Sequence, residues 1–268
     1  MQNDDFGDRM KMLEQAEAGR RLLPLLPVIA RLDGKSFHTW TADLKRPYDE
    51  RLVDLMQDLT AFLVDKTSAR IGYTQSDEIS LVFYSETYES QIFFDGKIQK
   101  INSVLASMAS AYFNSHAVAA FFPVQKPLAF FDCRVWAVPN KSEAANSILW
   151  REQDASKNSI SMLARAYFSH KEIHGKSGEE MQEMLFQQHK INWNDCPDFF
   201  KRGTFFSRRK VFKELTGLEL LKIPEQHRPA LGEKVERTVV QQVAMPKFSS
   251  VVNRVEVIFD GEDPQVAS

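Results

Sequence analysis

Arg70-Ile71-Gly72-Tyr73-Thr74-Gln75-Ser76-Asp77-Glu78-Ile79-Ser80-Leu81-Val82-Phe83-Tyr84 is the stretch on which the fold turns. It reads as two β-prone runs, 70–75 and 79–84, about a polar bend at Ser76-Asp77-Glu78, and so as a hairpin whose second strand is the more apolar. Upstream, Val28-Ile29-Ala30-Arg31-Leu32-Asp33 has strand character and stops at Gly34. Between them Leu52, Leu55, Met56, Leu59, Phe62 and Leu63 recur at helical spacing, with Asp49 placed to cap the first turn of a helix over 49–66. Downstream, Ile101, Leu105, Met108, Tyr112 and Phe113 share a stripe that predicts a long helix over 91–121. Residues 128–138 then alternate, with Ala129, Phe131, Cys133, Val135 and Ala137 on one face and Asp132 and Arg134 on the other.

The order is strand, helix, strand, strand, helix, strand: the βαββαβ pattern of a ferredoxin-like α+β fold. With right-handed crossovers the third strand lies between the first and second, antiparallel to the first. Asp33 is then expected beside Asp77 and Glu78. A polar leading helix over 5–20 precedes this core, and Pro24 and Pro27 mark the loop after it. Beyond Pro139 the pattern changes to helices near 141–168 and 178–190, then to short strands near 203–207, 235–243 and 254–259. Residues 1–139 are therefore expected to form the catalytic core, with 140–268 as a helical and short-strand extension packed on it in a single compact unit. The tail from Gly261 to Ser268 is expected to fray.

Composition narrows the classes. With 268 residues, 43% hydrophobic, 26% charged and 20 Phe, the chain is an ordinary globular one, neither fibrous nor disordered. Two cysteines, Cys133 and Cys196, are too few for a disulfide framework and lack metal-ribbon spacing, which suits a reducing compartment. The acidic start (Asp4, Asp5, Asp8) has no apolar stretch behind it, and the run at 117–122 is too short to span a bilayer. A cytoplasmic protein without a membrane partner is expected. A net charge of -2 means that any nucleic acid must be held by local clusters. The candidates are Lys201, Arg202, Arg208, Arg209, Lys210 and Lys213, with Lys45, Arg46, Lys97 and Lys100; solvated faces are the commoner fate of such runs.

Asp33 and Asp77, brought together from two strands with no basic residue in the hairpin, repel each other unless a cation sits between them. Two Mg²⁺ ions with a nucleotide triphosphate answer that problem, since Mg²⁺ takes few protein carboxylates and completes its shell with water and phosphate oxygens. Glu78 is either a further ligand or a supporting group. Gly34-Lys35-Ser36-Phe37-His38 offers close backbone approach, successive N–H groups for phosphates, and a Lys and a His. The plain alternative is acids at strand ends and turns, where Asp commonly lies. Gly175-Lys176-Ser177 imitates the end of a P-loop, but His170 stands where the leading Gly belongs. Between His170 and His174, Lys171 takes the place of the zinc-protease Glu.

Arg31-Leu32-Asp33-Gly34-Lys35-Ser36-Phe37-His38 and Gln75-Ser76-Asp77-Glu78-Ile79-Ser80-Leu81-Val82-Phe83 closely resemble the two signature motifs of the tRNA(His) guanylyltransferase superfamily. The similarity continues through Arg46-Pro47, Phe131-Asp132-Cys133-Arg134, Trp150-Arg151 with Asp154, and Lys201-Arg202-Gly203-Thr204. The resemblance implies a polymerase-type palm working in the 3′-to-5′ direction. Such enzymes activate a 5′-monophosphorylated tRNA with ATP, or use a 5′-triphosphate, and the 3′-hydroxyl of GTP then attacks. By carry-over Asp33 and Asp77 hold the two Mg²⁺ ions, the Gly34 carbonyl completes one shell and Glu78 supports catalysis. Asp33, Gly34, Lys35, Ser36, Phe37, His38, Ser76 and Asp77 would contact the nucleotide, with Arg46 where the family usually places a triphosphate-contacting Lys. Asp154, Asn158, Lys201, Arg202, Arg208 and Arg209 are the expected RNA contacts. A homo-oligomer, a tetramer by resemblance, is implied as well.

One segment departs from the pattern. Eukaryotic guanylyltransferases carry His-Ile-Asn-Asn where this chain has Ser156-Lys157-Asn158-Ser159, so only Asn158 is kept. The chain thus looks more like the bacterial, archaeal or phage relatives, which resemble template-directed repairers of 5′-truncated tRNA. Two alternatives remain at the level of sequence. A palm-domain nucleotide cyclase would need Gly-Gly where Gln75-Ser76 stands, and a non-enzymatic RNA-binding ferredoxin-like module would need a Gly-rich aromatic third strand.

Overall fold

The computed structural model describes residues 5–230 and 232–267. Numbered in chain order, the helices are α1 (Asp5–Ala18), α2 (Phe37–Trp40), α3 (Glu50–Thr67), α4 (Ile98–Ala120), α5 (Lys141–Tyr167), α6 (His170–Ile173), α7 (Gly178–His189), α8 (Asp198–Lys201), α9 (Gly217–Leu221) and α10 (Arg254–Phe259). The strands are β1 (Val28–Gly34), β2 (Ile71–Gln75), β3 (Glu78–Phe83), β4 (Phe131–Ala137), β5 (Thr204–Glu214) and β6 (Lys234–Val243). They form one sheet of order β4-β1-β3-β2-β5-β6 in which every neighbouring pair is antiparallel.

Side chains alternate across a strand, and over β1, β2 and β3 both faces are covered. Val28, Ala30, Leu32, Ile79, Leu81 and Phe83 pack against α3 and α4 through Leu55, Leu59, Leu63, Ile101, Leu105 and Phe113. Ile29, Ile71, Tyr73 and Val82 take the other face, under Ala144, Ile148 and Ala155 of α5 and Val257, Ile258 and Phe259 of α10. Burial on both sides accounts for the near-continuous apolar reading of β1 and β3. A third cluster joins the end of α5 to α7 and α8 through Leu163, Phe168, Leu185 and Phe200.

Four expectations change. The helix expected from 91 begins only at Ile98, after a 3-10 turn at Phe93–Gly96 in which Phe94, Asp95 and Gly96 have positive φ, a conformation an α-helix cannot continue. The strand expected over 203–207 runs to Glu214. It pairs with β2 from Thr204 to Ser207 and with β6 along nearly its whole length, so the sheet itself continues into the C-terminal half. Residues 254–259 form a helix, not a strand. Val257, Ile258 and Phe259 are all buried there, packed on α5 and Tyr84.

The tail is also anchored rather than frayed. Gln265 N–H donates to Asn253 Oδ1 at 2.8 Å, Val252 N–H to the Gln265 carbonyl at 2.8 Å, and Val251 bridges to Val266. Asp4 and Ser268 lie outside the described residues.

Asp49 caps α3 as its sequence position suggests, and does more. Its carboxylate accepts Arg51 N–H at 3.1 Å, Lys45 N–H at 3.3 Å, and Arg51 Nε and Nη2 at 2.9 and 2.7 Å. The Arg51 side chain foremost, with both backbone donors, holds the Asp49 carboxyl below its usual range against the opposing effect of burial. Asp49→Ala is therefore expected to destabilise the protein by about 1–2 kcal/mol, or several degrees in melting temperature. A depressed carboxyl stabilises above its unfolded value of 3.8 and loses that effect as pH falls through its lower folded value. Thermal melts should accordingly show the gap between variant and parent closing in acid.

Candidate active site

Register decides which side chains meet. Pairing of β1 with β3 sets Asp33 opposite Glu78 and Arg31 opposite Ser80, while β4 sets Asp132 opposite Asp33 and Arg134 opposite Arg31. On the other flank β2 sets Gln75 opposite Glu78 and Tyr73 opposite Ser80. Ile29 and Val82, on the same strands and in phase, lie in the core under α5, so these rows face α5. Glu78, Asp33 and Asp132 thus stand in one cross-strand row of like charge, an unfavourable arrangement unless each is answered.

The answers differ. Arg151 of α5 grips Glu78 with its guanidinium fork, Nε to Oε1 and Nη2 to Oε2, both at 2.6 Å. The same Nη2 lies 3.2 Å from Asp154, and the Arg151 guanidinium sits 4.6 Å from the Trp150 ring centre. Exposed Asp132 has Arg134 at 3.5 Å. Asp33 has no ion-pair partner among the described residues, and neither does Asp77.

Asp77 occupies the two-residue bend between β2 and β3, made by Ser76 in the left-handed region at φ 56. Ser76 Oγ donates to Asp77 Oδ1 at 3.0 Å, and Gly34 N–H donates to the Asp77 carbonyl at 3.2 Å, tying the bend to the end of β1. Burial raises the Asp77 carboxyl above its usual range and the Asp33 charge adds to it, while the Ser76 hydroxyl and His38 oppose the rise. Burial also lifts Glu78, outweighing Arg151.

Among the described residues no three His, Cys, Asp or Glu side chains form a ready-made metal cage. What the site offers is two carboxylates, Asp33 and Asp77, the first of which disfavours the charge of the second, and neither of which has an ion-pair partner among the described residues. That donor set fits a hard divalent cation whose remaining ligands come from phosphate and water.

The loop after Asp33 is shaped by Phe37. A Cβ on Gly34 would fall 2.3 Å from the Phe37 ring, which is 3% exposed and stacks on Trp40 at 5.5 Å. The Phe37 side chain therefore belongs to the core, and only its backbone can serve the expected nucleotide contact. Lys35, Ser36 and His38 are exposed, Lys35 N–H donates to the Phe130 carbonyl at 2.8 Å, and Ser36 is left-handed at φ 55. Arg46 is exposed and donates to the Thr41 carbonyl at 3.3 Å. It lines a small pocket of about 80 Å³ with Lys45, Tyr48 and Gln57, which meets the acidic cleft across Gln75 and Ser76.

The acidic cleft itself holds about 330 Å³ between the sheet edge and one face of α5, bearing Arg151, Ala155, Asn158, Met162 and Arg165 at intervals of three and four. Asn158 is brought into this cleft, and its Nδ2 donates to Asp154 at 3.3 Å. The basic residues grouped in sequence do not share one surface. Lys201 is 8% exposed, donates to the Asn194 carbonyl at 2.6 Å and pairs with Asp198, so its charge is spent inside and the expected RNA contact is corrected. Arg202 is hydrogen-bonded to Asp198. Arg208 and Arg209 follow Ser207, the partner of Ile71, and so lie at the end of β2 away from Asp77. Arg209 is held by Asp263 at 2.5 Å. Arg151 was present in a sequence motif without a role; its spacing to Asp154 and Asn158 on an amphipathic helix was the signal.

A family profile described as tRNAHis guanylyltransferase (Thg1) matches residues 7–139. A bacterial tRNA(His) guanylyltransferase (Thg1)-like protein solved in complex with ATP is similar at 42% identity and TM-score 0.72, over 75% of this chain and 88% of that one. A bacterial Thg1-like protein in complex with GTP is 35% identical with TM-score 0.71, over 92% and 94% of the two chains. The chain belongs to the tRNA(His) guanylyltransferase family. The Saccharomyces cerevisiae tRNA(His) guanylyltransferase is 29% identical over 230 residues, 78% of this chain and 92% of the yeast one. Family membership makes this protein an enzyme, a nucleotidyltransferase of tRNA processing, and displaces the cyclase and RNA-module alternatives.

Asp77→Asn keeps an acceptor for Ser76 but removes a charge that burial and Asp33 both disfavour, so the metal-free variant is expected to melt above the parent at pH 7. A raised carboxyl destabilises above its folded value, and the penalty vanishes as pH falls towards the unfolded 3.8. The advantage should therefore shrink in acid. Added Mg²⁺ should raise the melting temperature of the parent alone; equal response of both proteins in a thermal-shift series would remove Asp77 from the cation site.

Proposed function

We propose that this enzyme adds nucleotides to the 5′ end of tRNA in the 3′-to-5′ direction, on a ferredoxin-like palm with Asp33 and Asp77 as its paired metal-binding acids. The observation carrying the reading is that these two carboxylates share a cleft and have no ion-pair partner among the described residues, while Glu78, in the same row as Asp33, is clamped by Arg151. The strand order β4-β1-β3-β2, reached by βαββαβ connections, supports the palm. Residues 1–139 would be the catalytic core and 140–268 the extension that supplies α5 and lengthens the sheet.

Asp33, Asp77 and the Gly34 carbonyl would hold two Mg²⁺ ions, which when bound supply charge compensation for phosphates and for the attacking and leaving oxygens. The chain's own groups position the substrates. Backbone N–H groups and the exposed side chains of Lys35, Ser36 and His38, with Ser76, would hold the incoming triphosphate. Arg46 reaches it from the adjoining pocket. Relatives solved with ATP and with GTP support both as substrates here, ATP for activating a 5′-monophosphate and GTP for addition. Glu78 supports the reacting centre, and Asp154 and Asn158 on the α5 wall meet the RNA. Arg202, Arg208 and Arg209 would then contact phosphates farther from the reacting end. Among the described residues no helix is long and apolar enough to cross a membrane; a cytoplasmic homo-oligomer, a tetramer by resemblance, completes the reading.

Selectivity is expected to come from the opposite strand. In Ser156-Lys157-Asn158-Ser159, Ser156 Oγ is spent on the Glu152 carbonyl at 3.0 Å and Ser159 is buried, its Oγ accepting Trp193 Nε1 at 3.0 Å, so Asn158 is left where His-Ile-Asn-Asn has three directional side chains. A mismatched incoming base forfeits hydrogen bonds that a paired one makes. With Mg²⁺ and ATP, tRNAs lacking their first nucleotide should be extended by the base that restores a Watson–Crick pair, in preference to addition of an unpaired G to intact tRNA(His). Each of the four NTPs is offered in turn at equal tRNA concentrations. Addition to intact tRNA(His) only, or indifference to the templating base, would return the enzyme to dedicated tRNA(His) modification. Asp33→Ala and Asp77→Ala should abolish addition in every case without unfolding the protein.

A further inference from the structure

Tyr73 stands on β2 opposite Ser80, one row behind Glu78, and points to the α5 face. Its ring lies 4.8 Å from that of Phe205 and is backed by Gly203, where a Cβ would fall 2.7 Å from it. The residue is 2% exposed, yet its hydroxyl has no hydrogen-bond partner among the described residues. A buried hydroxyl left unpaired keeps its desolvation cost, and Phe would fill nearly the same volume without that cost. Such an exception in a packed site calls for a partner present in another state.

Tyr73 lines the same cleft as Glu78 and Arg151, and Glu152, Glu78, Arg151 and Asp154 are the charged groups that act on its phenol. Asp154 is already held by Arg151 and Asn158. Glu152 is 1% exposed and already accepts Phe248 N–H at 2.8 Å. The Glu78 carboxylate is hydrogen-bonded, among the described residues, only by Arg151, whose fork is the geometry that phosphate recognises and which lines the cleft. A nucleotide or RNA phosphate entering there competes with Glu78 for the guanidinium. Once Arg151 turns away, Glu78 is a half-buried carboxylate beside Asp33 with no donor.

We propose that Tyr73 is a positioning residue whose hydroxyl takes over the Glu78 carboxylate when Arg151 engages a substrate phosphate, keeping Glu78 in place during nucleotide addition. The inference rests on the reading of Glu78 as a supporting group at this reacting centre. Tyr73→Phe then has effects of opposite sign on fold and turnover. In EDTA it melts at or above the temperature of the parent, because the free protein loses no hydrogen bond. With Mg²⁺, GTP and 5′-triphosphorylated tRNA its kcat falls about tenfold, the worth of one charge-assisted hydrogen bond, while both KM values stay within about twofold.

Three results would overturn the inference: an unchanged kcat, a lowered melting temperature showing that the hydroxyl serves the free fold, or a rise in KM alone showing that it touches substrate. Asp77→Ala is assayed alongside. Inactive Asp77→Ala beside fully active Tyr73→Phe removes the inference and leaves the active-site reading standing, whereas active Asp77→Ala removes both.

Discussion

Antiparallel pairing of β1 and β3 in the one register that sets Asp33 against Glu78 places like charges side by side, and much of the structure answers that repulsion. The register is held because β1 and β3 are buried on both faces; a slip of one residue would exchange the side chains packed under α5 for those packed under α3 and α4. Charge conflict at the strand ends is thus imposed by hydrophobic packing farther back along the same strands. The sheet stabilises an arrangement that its own polar edge opposes.

Helix α5 resolves part of the conflict. It delivers Arg151 to Glu78 with both carboxylate oxygens satisfied, and anchors itself through buried Glu152, which accepts Phe248 N–H. Successive residues of one helix thereby serve opposite ends: Arg151 faces the cleft, and Glu152 faces the C-terminal segment that covers the helix. Asp33 and Asp77 are left uncompensated, which is the electrostatic condition for drawing in a cation and its phosphates. One row behind Glu78 lies the buried Tyr73 hydroxyl, without a hydrogen-bond partner among the described residues.

The lysines and arginines illustrate the opposite case. In a chain of net charge -2 they were the evident candidates for phosphate, yet Lys201 is consumed by Asn194 and Asp198, and Arg209 by the tail at Asp263. Arg208, which has no ion pair among the described residues, is separated from the acids by the length of β2. Proximity in sequence carried no information about shared surface, since neighbours on a strand face opposite ways and a strand spans about 3.3 Å per residue.

Local pattern was enough for β1, the β2–β3 hairpin, the Asp49-capped α3 and the order that brings Asp33 to Glu78, because each depends on periodicity, turn chemistry and handed connections. The neighbourhood of Asp33, Asp77 and Glu78 was legible for the same reason, since they sit at strand ends and a bend that the pattern locates, whereas their place in signature motifs came from resemblance to the family. What tertiary structure alone decided were contacts between segments far apart in the chain. Arg151 meets Glu78, Phe37 turns into the core over Gly34, β5 joins β2, and residues 254–259 coil against α5 instead of alternating as a strand. Six residues of mixed β-branched, aromatic and charged type are compatible with either helix or strand, and the free energy that chooses comes from the surface they bury, which the segment itself does not contain.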